Sequence, residues 1–290
     1  GGLLDQAVDT VNEFIGPNKL VVETKGRTAA SNRQHFTRFP AKNRDYPIVV
    51  LVNEASASAS EIFAGSLQDW DKGLVMGKTT FGKGSVQQLF PLINGNGIKI
   101  TNAYYYIKSG RCIHKKSNDK LLLGEQVSEA DIKNEEELNL KQIYHTVNGR
   151  EVYGGGGITP DIESSPDLMT NFAMDLRRKN AFFNFTVDYM VQHDHTLSKD
   201  IQVDDTLLGS FLDYASSQDI KYTQADVDSA LVYIRTTLKS ELVRKAYGDL
   251  EAYKITIGLD RQLREAMELF DRYPTMAAMF EHAASLKKKR

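Results

Sequence analysis

The run Tyr46-Pro47-Ile48-Val49-Val50-Leu51-Val52-Asn53-Glu54-Ala55-Ser56-Ala57-Ser58-Ala59-Ser60-Glu61-Ile62-Phe63 is where the architecture of this chain is written. Its opening, Tyr46 to Val52, is a continuous apolar segment of strand length. Such a segment fits a strand buried on both faces, as in a parallel α/β sheet. Ile62, Phe63, Leu67 and Trp70 then share one face at three-and-four spacing, which predicts a helix over about 58–71. Leu74-Val75-Met76-Gly77 reads as another short strand. Strand, helix, strand in this order predicts a βαβ crossover.

Working upstream, Asp5 to Phe14 reads as a short helix and Leu20 to Thr24 as a strand. Residues 27–45 carry Arg, Asn, Ser and Lys without a clear period and read as a loop. Downstream, Ser85 to Phe90 and Ile98 to Lys108 have strand composition, the second rich in Tyr and Ile. Residues 115–145 are a polar excursion with some helix expected at 129–142. Gly154-Gly155-Gly156-Gly157 marks a turn or a close backbone approach. From about 165 the pattern becomes helical. Val227, Leu231, Ile234, Leu238 and Leu242 form one apolar stripe, with Thr223 and Asp226 as its N-terminal cap. Leu259, Leu263, Met267 and Phe270 form another, ended before Pro274. The nearby Met169, Phe172, Phe211, Met276, Met279 and Phe280 read as helix-packing residues. Two regions result, 1–165 mixed and 166–290 all-helical.

The chain has 290 residues, 41% hydrophobic and 26% charged, with a formal net charge of −2. That is enough apolar material for a core and too little net charge for a disordered chain. No apolar run approaches the roughly 20 residues that span a bilayer. The near-neutral balance argues against nucleic acid as partner. Lys287-Lys288-Lys289-Arg290 reads as a solvated end. The single cysteine, Cys112, excludes an intrachain disulfide and a multi-Cys metal site, and reads as a small core residue. The opening Gly1-Gly2-Leu3-Leu4-Asp5 suggests a piece cut from a longer protein.

Chemistry is densest at Asn53 to Glu61. A serine at a strand-to-helix turn projects from a tight turn, beside the first free N–H groups of the helix, where an oxyanion can be held. Ser58-x-x-Glu61 also has the form of a capping box, in which Ser58 merely accepts from the helix backbone. Both readings stand on these residues. A nucleophilic serine needs a base. None of His35, His114, His145, His193, His195 and His282 lies in a recognisable motif with a carboxylate. His193-x-His195 has metal-pair spacing but sits in a polar stretch and reads as surface. Phe81-Gly82-Lys83-Gly84-Ser85 instead presents a lysine between glycines. A lysine base must lose its proton, which burial among apolar groups favours, so activity would rise with pH. A solvated turn lysine is the competing reading. The phosphate-loop match Gly77-x-x-x-x-Gly82-Lys83 fails, because Gly84 stands where Ser or Thr is needed and a strand follows instead of a helix.

Together these segments resemble the C-terminal processing (tail-specific) serine proteases, which use a Ser–Lys dyad. The resemblance runs through Gly1-Gly2-Leu3-Leu4, Ser56 to Ile62, Phe81 to Gln87, Ser109-Gly110-Arg111 and Gly157-Ile158-Thr159-Pro160-Asp161. It covers about the first 165 residues, with 25 residues from Ser58 to Lys83 and four from Lys83 to Gln87. It implies an α/β protease core, a mixed sheet of crotonase/ClpP-like type, followed by an all-α region. It implies Ser58 as nucleophile, Lys83 as general base, Gln87 as the residue orienting the lysine, and the backbone N–H groups of Ala59 and Gly2 as oxyanion hole, with no metal or cofactor. Substrates would be non-polar C-terminal tails of unfolded or partly folded proteins, in the bacterial cell envelope on the periplasmic side. The family's PDZ domain and first core strands have no counterpart in these residues. The helical region would serve oligomer formation, gating or packing alone. A catalytically idle peptide-binding scaffold on the same fold is the alternative.

Overall fold

The computed structural model describes residues 1–40, 46–117, 120, 126–128, 130, 134, 138, 142–167, 169–193, 197–198 and 200–287. They form two compact units: Gly1–Ser165 with Ala266–Arg290, and Pro166–Glu265.

The first unit is an α/β body. Helix α1 (Leu4–Asn12) precedes strand β1 (Leu20–Gly26), β2 (Arg33–Phe36) and β3 (Val49–Val52). Helix α2 (Ala59–Asp69) leads to β4 (Leu74–Gly77), β5 (Ser85–Pro91) and β6 (Gly97–Ile107). The short strands β7 (Ile143–His145), β8 (Glu151–Tyr153) and β9 (Ile162–Glu163) complete the unit's strands among the described residues. β3 and β4 pair in parallel, Val49 opposite Leu74, so the strand–helix–strand order does make the expected βαβ crossover. β9 adds to β4, also in parallel. A separate antiparallel sheet has the order β2-β1-β6-β5.

Helix α2 carries the unit's main core. Ile62 and Leu67 are fully buried against Val21, Val22, Val75, Ile107 and Ile158. Burying each such side chain contributes about 1.5–3 kcal/mol. Gly65 lets the helix come close, since a β-carbon there would lie 2.6 Å from Ile107 Cδ1. The far end of α2 is pinned by charge. Arg111, with no exposed surface, donates to Asp69 Oδ1 (2.9 Å), Gln68 Oε1 (2.7 Å) and the Tyr153 carbonyl (3.1 Å). Arg150 bridges Asp71 and Asp161, both at 2.6 Å.

Several expectations need correction. β3 is not buried on both faces: it lies at the edge of its ladder, and Leu51 is 36% exposed. Residues 33–36, read as loop, form β2, because pairing with β1 supplies what their polar composition does not. The hairpin β7–β8 also lacks a strand pattern in sequence, its three-residue strands being too short for one. Cys112 is only half-buried. The helix expected at 129–142 falls mostly outside the described residues, as do His195 and residues 288–290.

The second unit holds α3 (Asn171–Arg178), α4 (Ala181–Gln192), α5 (Asp205–Ser217), α6 (Gln224–Tyr247) and α7 (Asp249–Thr256). Three of the five starts, those of α3, α5 and α6, are capped by a side chain. Thr170 Oγ1 accepts from Ala173 N–H and Asp204 Oδ1 from Leu207 N–H. Thr223 and Asp226 cap α6 reciprocally, Asp226 Oδ2 accepting from Thr223 N–H at 2.8 Å. The α6 stripe of Val227, Ile234, Leu238 and Leu242 is buried around Phe211, Phe172 and Leu176.

The all-helical region does not stay in one piece. Helices α8 (Arg261–Arg272) and α9 (Met276–Lys287) follow, and residues 266–290 cluster with the first unit. Ala266, Leu269, Met279 and Ala283 pack on Leu74, Met76 and Ile162. The face turned inward on α8 therefore centres on Ala266 and Leu269, while Met267 of the expected stripe is 54% exposed.

Candidate active site

Ser58 sits at the head of α2 with φ 58° and ψ −118°. A non-glycine residue in that region is strained and persists only where its surroundings hold it. The capping box that the sequence allows is formed at this turn, with Ser58 N–H donating to Glu61 Oε2 at 2.8 Å. Ala59 opens the helix, and its N–H has no acceptor within the helix. The Gly1-Gly2 segment lies against this turn, a β-carbon on Gly1 falling 3.0 Å from the Ala57 carbonyl oxygen and 3.5 Å from Ser58 Cβ.

Lys83 lies on the loop from β4 to β5, and this loop is moored to the Ser58 turn. Phe81 N–H donates to the Ser56 carbonyl (2.9 Å). The stronger tie is Glu61, which has no exposed surface. Its Oε1 accepts from Thr80 Oγ1 (2.5 Å) and Gly82 N–H (2.7 Å). Its Oε2 accepts from Lys83 N–H (2.8 Å) and from Ser58 N–H. The backbone nitrogens of Ser58 and Lys83 thus share one oxygen atom, which holds them within two hydrogen-bond lengths of each other. Burial pushes the Glu61 carboxyl above its usual range, opposed by the bonds from Thr80, Gly82, Ser58 and Lys83.

The glycines around Lys83 permit close backbone packing. Gly82 has φ +85°, and a β-carbon there would stand 2.6 Å from Lys115 Cβ; one on Gly84 would stand 2.7 Å from His114 N. Gly157 packs behind, its own β-carbon position 2.6 Å from the Thr80 carbonyl oxygen. The Lys83 side chain itself is exposed, so the described residues do not give it the apolar enclosure expected of a lysine base. Gln87 is half-buried on β5, next to a register shift at Val86/Gln87 that re-aims side chains locally. Gln88 is exposed and accepts from Asn102 Nδ2 instead.

The structure therefore brings Ser58, Ala59, Gly1-Gly2 and the Lys83 loop together and sets Gln87 at the start of the adjoining strand. Sequence reasoning undervalued Glu61, taken as a cap. Its signal was there: a carboxylate three residues after Ser58 on the buried side of a helix needs several donors. Among the described residues, no group of three or more His, Cys, Asp or Glu side chains is placed to hold a metal ion.

Residues 1–120 match the model of peptidase family S41. Residues 172–248 match a family of unknown function, DUF8443. The chain is similar to the carboxy-terminal-processing protease of Bartonella bacilliformis, 44% identical over 117 residues, covering 39% of this chain and 26% of that protein. It is similar also to the carboxyl-terminal-processing protease of Synechocystis, 42% identical over 115 residues, 40% of this chain and 26% of that protein. The match thus spans about a quarter of these relatives. Among solved structures, the photosystem II D1 C-terminal processing protease aligns over 59% of this chain and 33% of its own, at 24% identity and TM-score 0.40.

Proposed function

We propose that this chain carries the catalytic residues of a serine endopeptidase of the C-terminal processing type. The observation that carries the reading is the shared Glu61 oxygen, which fixes Ser58 beside the lysine loop. Ser58 Oγ attacks the scissile carbonyl while Lys83 Nζ takes its proton. The Ala59 N–H, with Gly2 N–H, holds the oxyanion. Collapse breaks the C–N bond, Lys83 returns the proton to the leaving amine, and an acyl-enzyme remains. Water, deprotonated by the same lysine, then releases the acid. Gln87 orients the lysine. Substrates are non-polar C-terminal tails of unfolded or partly folded proteins, met in the bacterial envelope on the periplasmic side.

The test uses the intact protein and its Ser58→Ala and Lys83→Ala variants on an unfolded protein with a non-polar tail. Cleavage by the parent alone is expected, with unchanged circular dichroism in both variants. Cleavage retained by Ser58→Ala refutes the reading. Tight peptide binding with no turnover by the parent would favour an idle scaffold.

A further inference from the structure

Glu61 ties Ser58 to Lys83 as long as it stays ionised, because each of its oxygens already faces N–H groups. Gly82 N–H points at Oε1, and the N–H groups of Ser58 and Lys83 point at Oε2. A proton on either oxygen would meet a donor and displace it. Yet Glu61 has no exposed surface, and the groups that bond to it among the described residues are neutral donors. A buried carboxylate in that position depends on every donor it has.

The one side-chain donor among them is Thr80, on the loop between β4 and β5 and 4% exposed. Its Oγ1 accepts from Ile158 N–H at 2.7 Å and donates to Glu61 Oε1 at 2.5 Å. The direction of the hydroxyl follows. Ile158 N–H can only donate, so it occupies a lone pair and leaves the hydroxyl proton for Glu61. The same two residues are joined again through the backbone, Thr80 N–H donating to the Ile158 carbonyl at 3.2 Å. The four-glycine run, Gly154 to Gly157, now has a use. A β-carbon on Gly157 would lie 2.6 Å from the Thr80 carbonyl oxygen and 2.8 Å from Thr80 Oγ1, so a bare backbone is what lets Ile158 reach the hydroxyl. The run is itself fixed from behind, Gly155 N–H by the Cys112 carbonyl (2.7 Å) and Gly157 N–H by that of Ile113 (3.0 Å).

Resting on the Ser58–Lys83 reading above, we propose that Thr80 is a positioning residue of the hydrolysis: its hydroxyl, aimed by Ile158 N–H, keeps Glu61 an acceptor for the backbone nitrogens of both Ser58 and Lys83. The turn Gly154–Ile158 thereby sets the site from its buried side. Removing the hydroxyl lets Glu61 take up a proton, and one oxygen then no longer holds the nucleophile and the base together.

The test uses the intact protein with Thr80→Val, which keeps the shape, and Thr80→Ser, which keeps the hydroxyl. On an unfolded protein with a non-polar tail, Thr80→Val is expected to lower kcat about a hundredfold with KM within about twofold. Thr80→Ser is expected to stay within about threefold of wild type on both. Amide hydrogen exchange is the second readout. In Thr80→Val the N–H groups of Ser58, Gly82 and Lys83 should exchange about tenfold faster, with that of Leu238 in the second unit unchanged, and Thr80→Ser should restore them. Wild-type kcat in Thr80→Val, a Thr80→Ser variant as slow as Thr80→Val, or unaltered exchange would overturn the proposal. Should Thr80→Val not fold, Thr80→Ala against Thr80→Ser repeats the comparison, since the two differ by the hydroxyl alone; equal kcat there overturns it too. Reaction of the wild-type serine with a small fluorophosphonate separates the two readings. Faster exchange in Thr80→Val without that reaction supports Thr80 as the residue that sets the turn and sinks the dyad; reaction with flat exchange does the reverse.

Discussion

Replacing Glu61 asks whether one buried carboxylate holds the site together. Glu61→Leu keeps the volume and removes every acceptor. Three backbone N–H groups, of Ser58, Gly82 and Lys83, lose their partner. At about 1–3 kcal/mol for each buried donor left unsatisfied, the loss is on the order of 3–9 kcal/mol, offset in part by no longer burying a charge. Glu61→Gln is milder. With its amide nitrogen toward Thr80, whose hydroxyl can accept, only Gly82 N–H is orphaned, at about 1–3 kcal/mol. The Gln oxygen would still accept from both Ser58 and Lys83. Urea unfolding followed by the single tryptophan, Trp70 at the end of α2, reads both variants. Because burial raises the Glu61 carboxyl, its contribution to stability is whole below the ordinary carboxylate value and is lost as pH rises through the raised one. The gap between wild type and Glu61→Gln should therefore narrow upward from about pH 4. A Leu variant as stable as wild type within about 0.5 kcal/mol would refute the reasoning, since that is the scatter of ordinary surface substitutions.

Ser58→Gly should raise stability by about 1 kcal/mol while abolishing hydrolysis, because glycine relieves the φ 58° geometry; a lowered urea midpoint would show the turn is not strained. Gly82→Ala should cost about 1–3 kcal/mol and most of the activity, since its β-carbon meets Lys115 at positive φ; full activity by the same cleavage assay would count against the packed loop. Asp69→Ala should destabilise by about 3–5 kcal/mol by stranding the buried Arg111 guanidinium, checked by thermal unfolding.

The crossover was legible because its parts announce themselves locally. An apolar run, a small-residue turn and an amphipathic helix each have a short-range cause, and β3, α2 and β4 fall where those causes lie. β2 was not legible, because Arg33-Gln34-His35-Phe36 is a strand only by virtue of β1 beside it. The register of α8 was missed for a related reason. Its inward face is chosen by Leu74 and Met76, nearly two hundred residues upstream, and the local stripe through Met267 could not reveal that. At the site, the residue types alone left a cap and a solvated turn lysine open, and the family resemblance pointed to Ser58 and Lys83. For Glu61 as the link the sequence held only a partial signal, a carboxylate three residues after Ser58, because three of its donors are backbone groups and backbone leaves no mark in composition.

The return of residues 266–290 to the first unit has a consequence for how the protein is made. As the chain leaves the ribosome, the parallel ladder of β3, β4 and β9 can pair once Ile162 has emerged. Leu74, Met76 and Ile162 then wait bare until α8 and α9 arrive, with the whole of Pro166–Glu265 still to be synthesised in between. At about 5–20 residues per second that delay is roughly 5–20 s. Over that interval a nascent chain shows an apolar sheet face that the finished protein hides, and it is then that holding chaperones would be most strongly engaged.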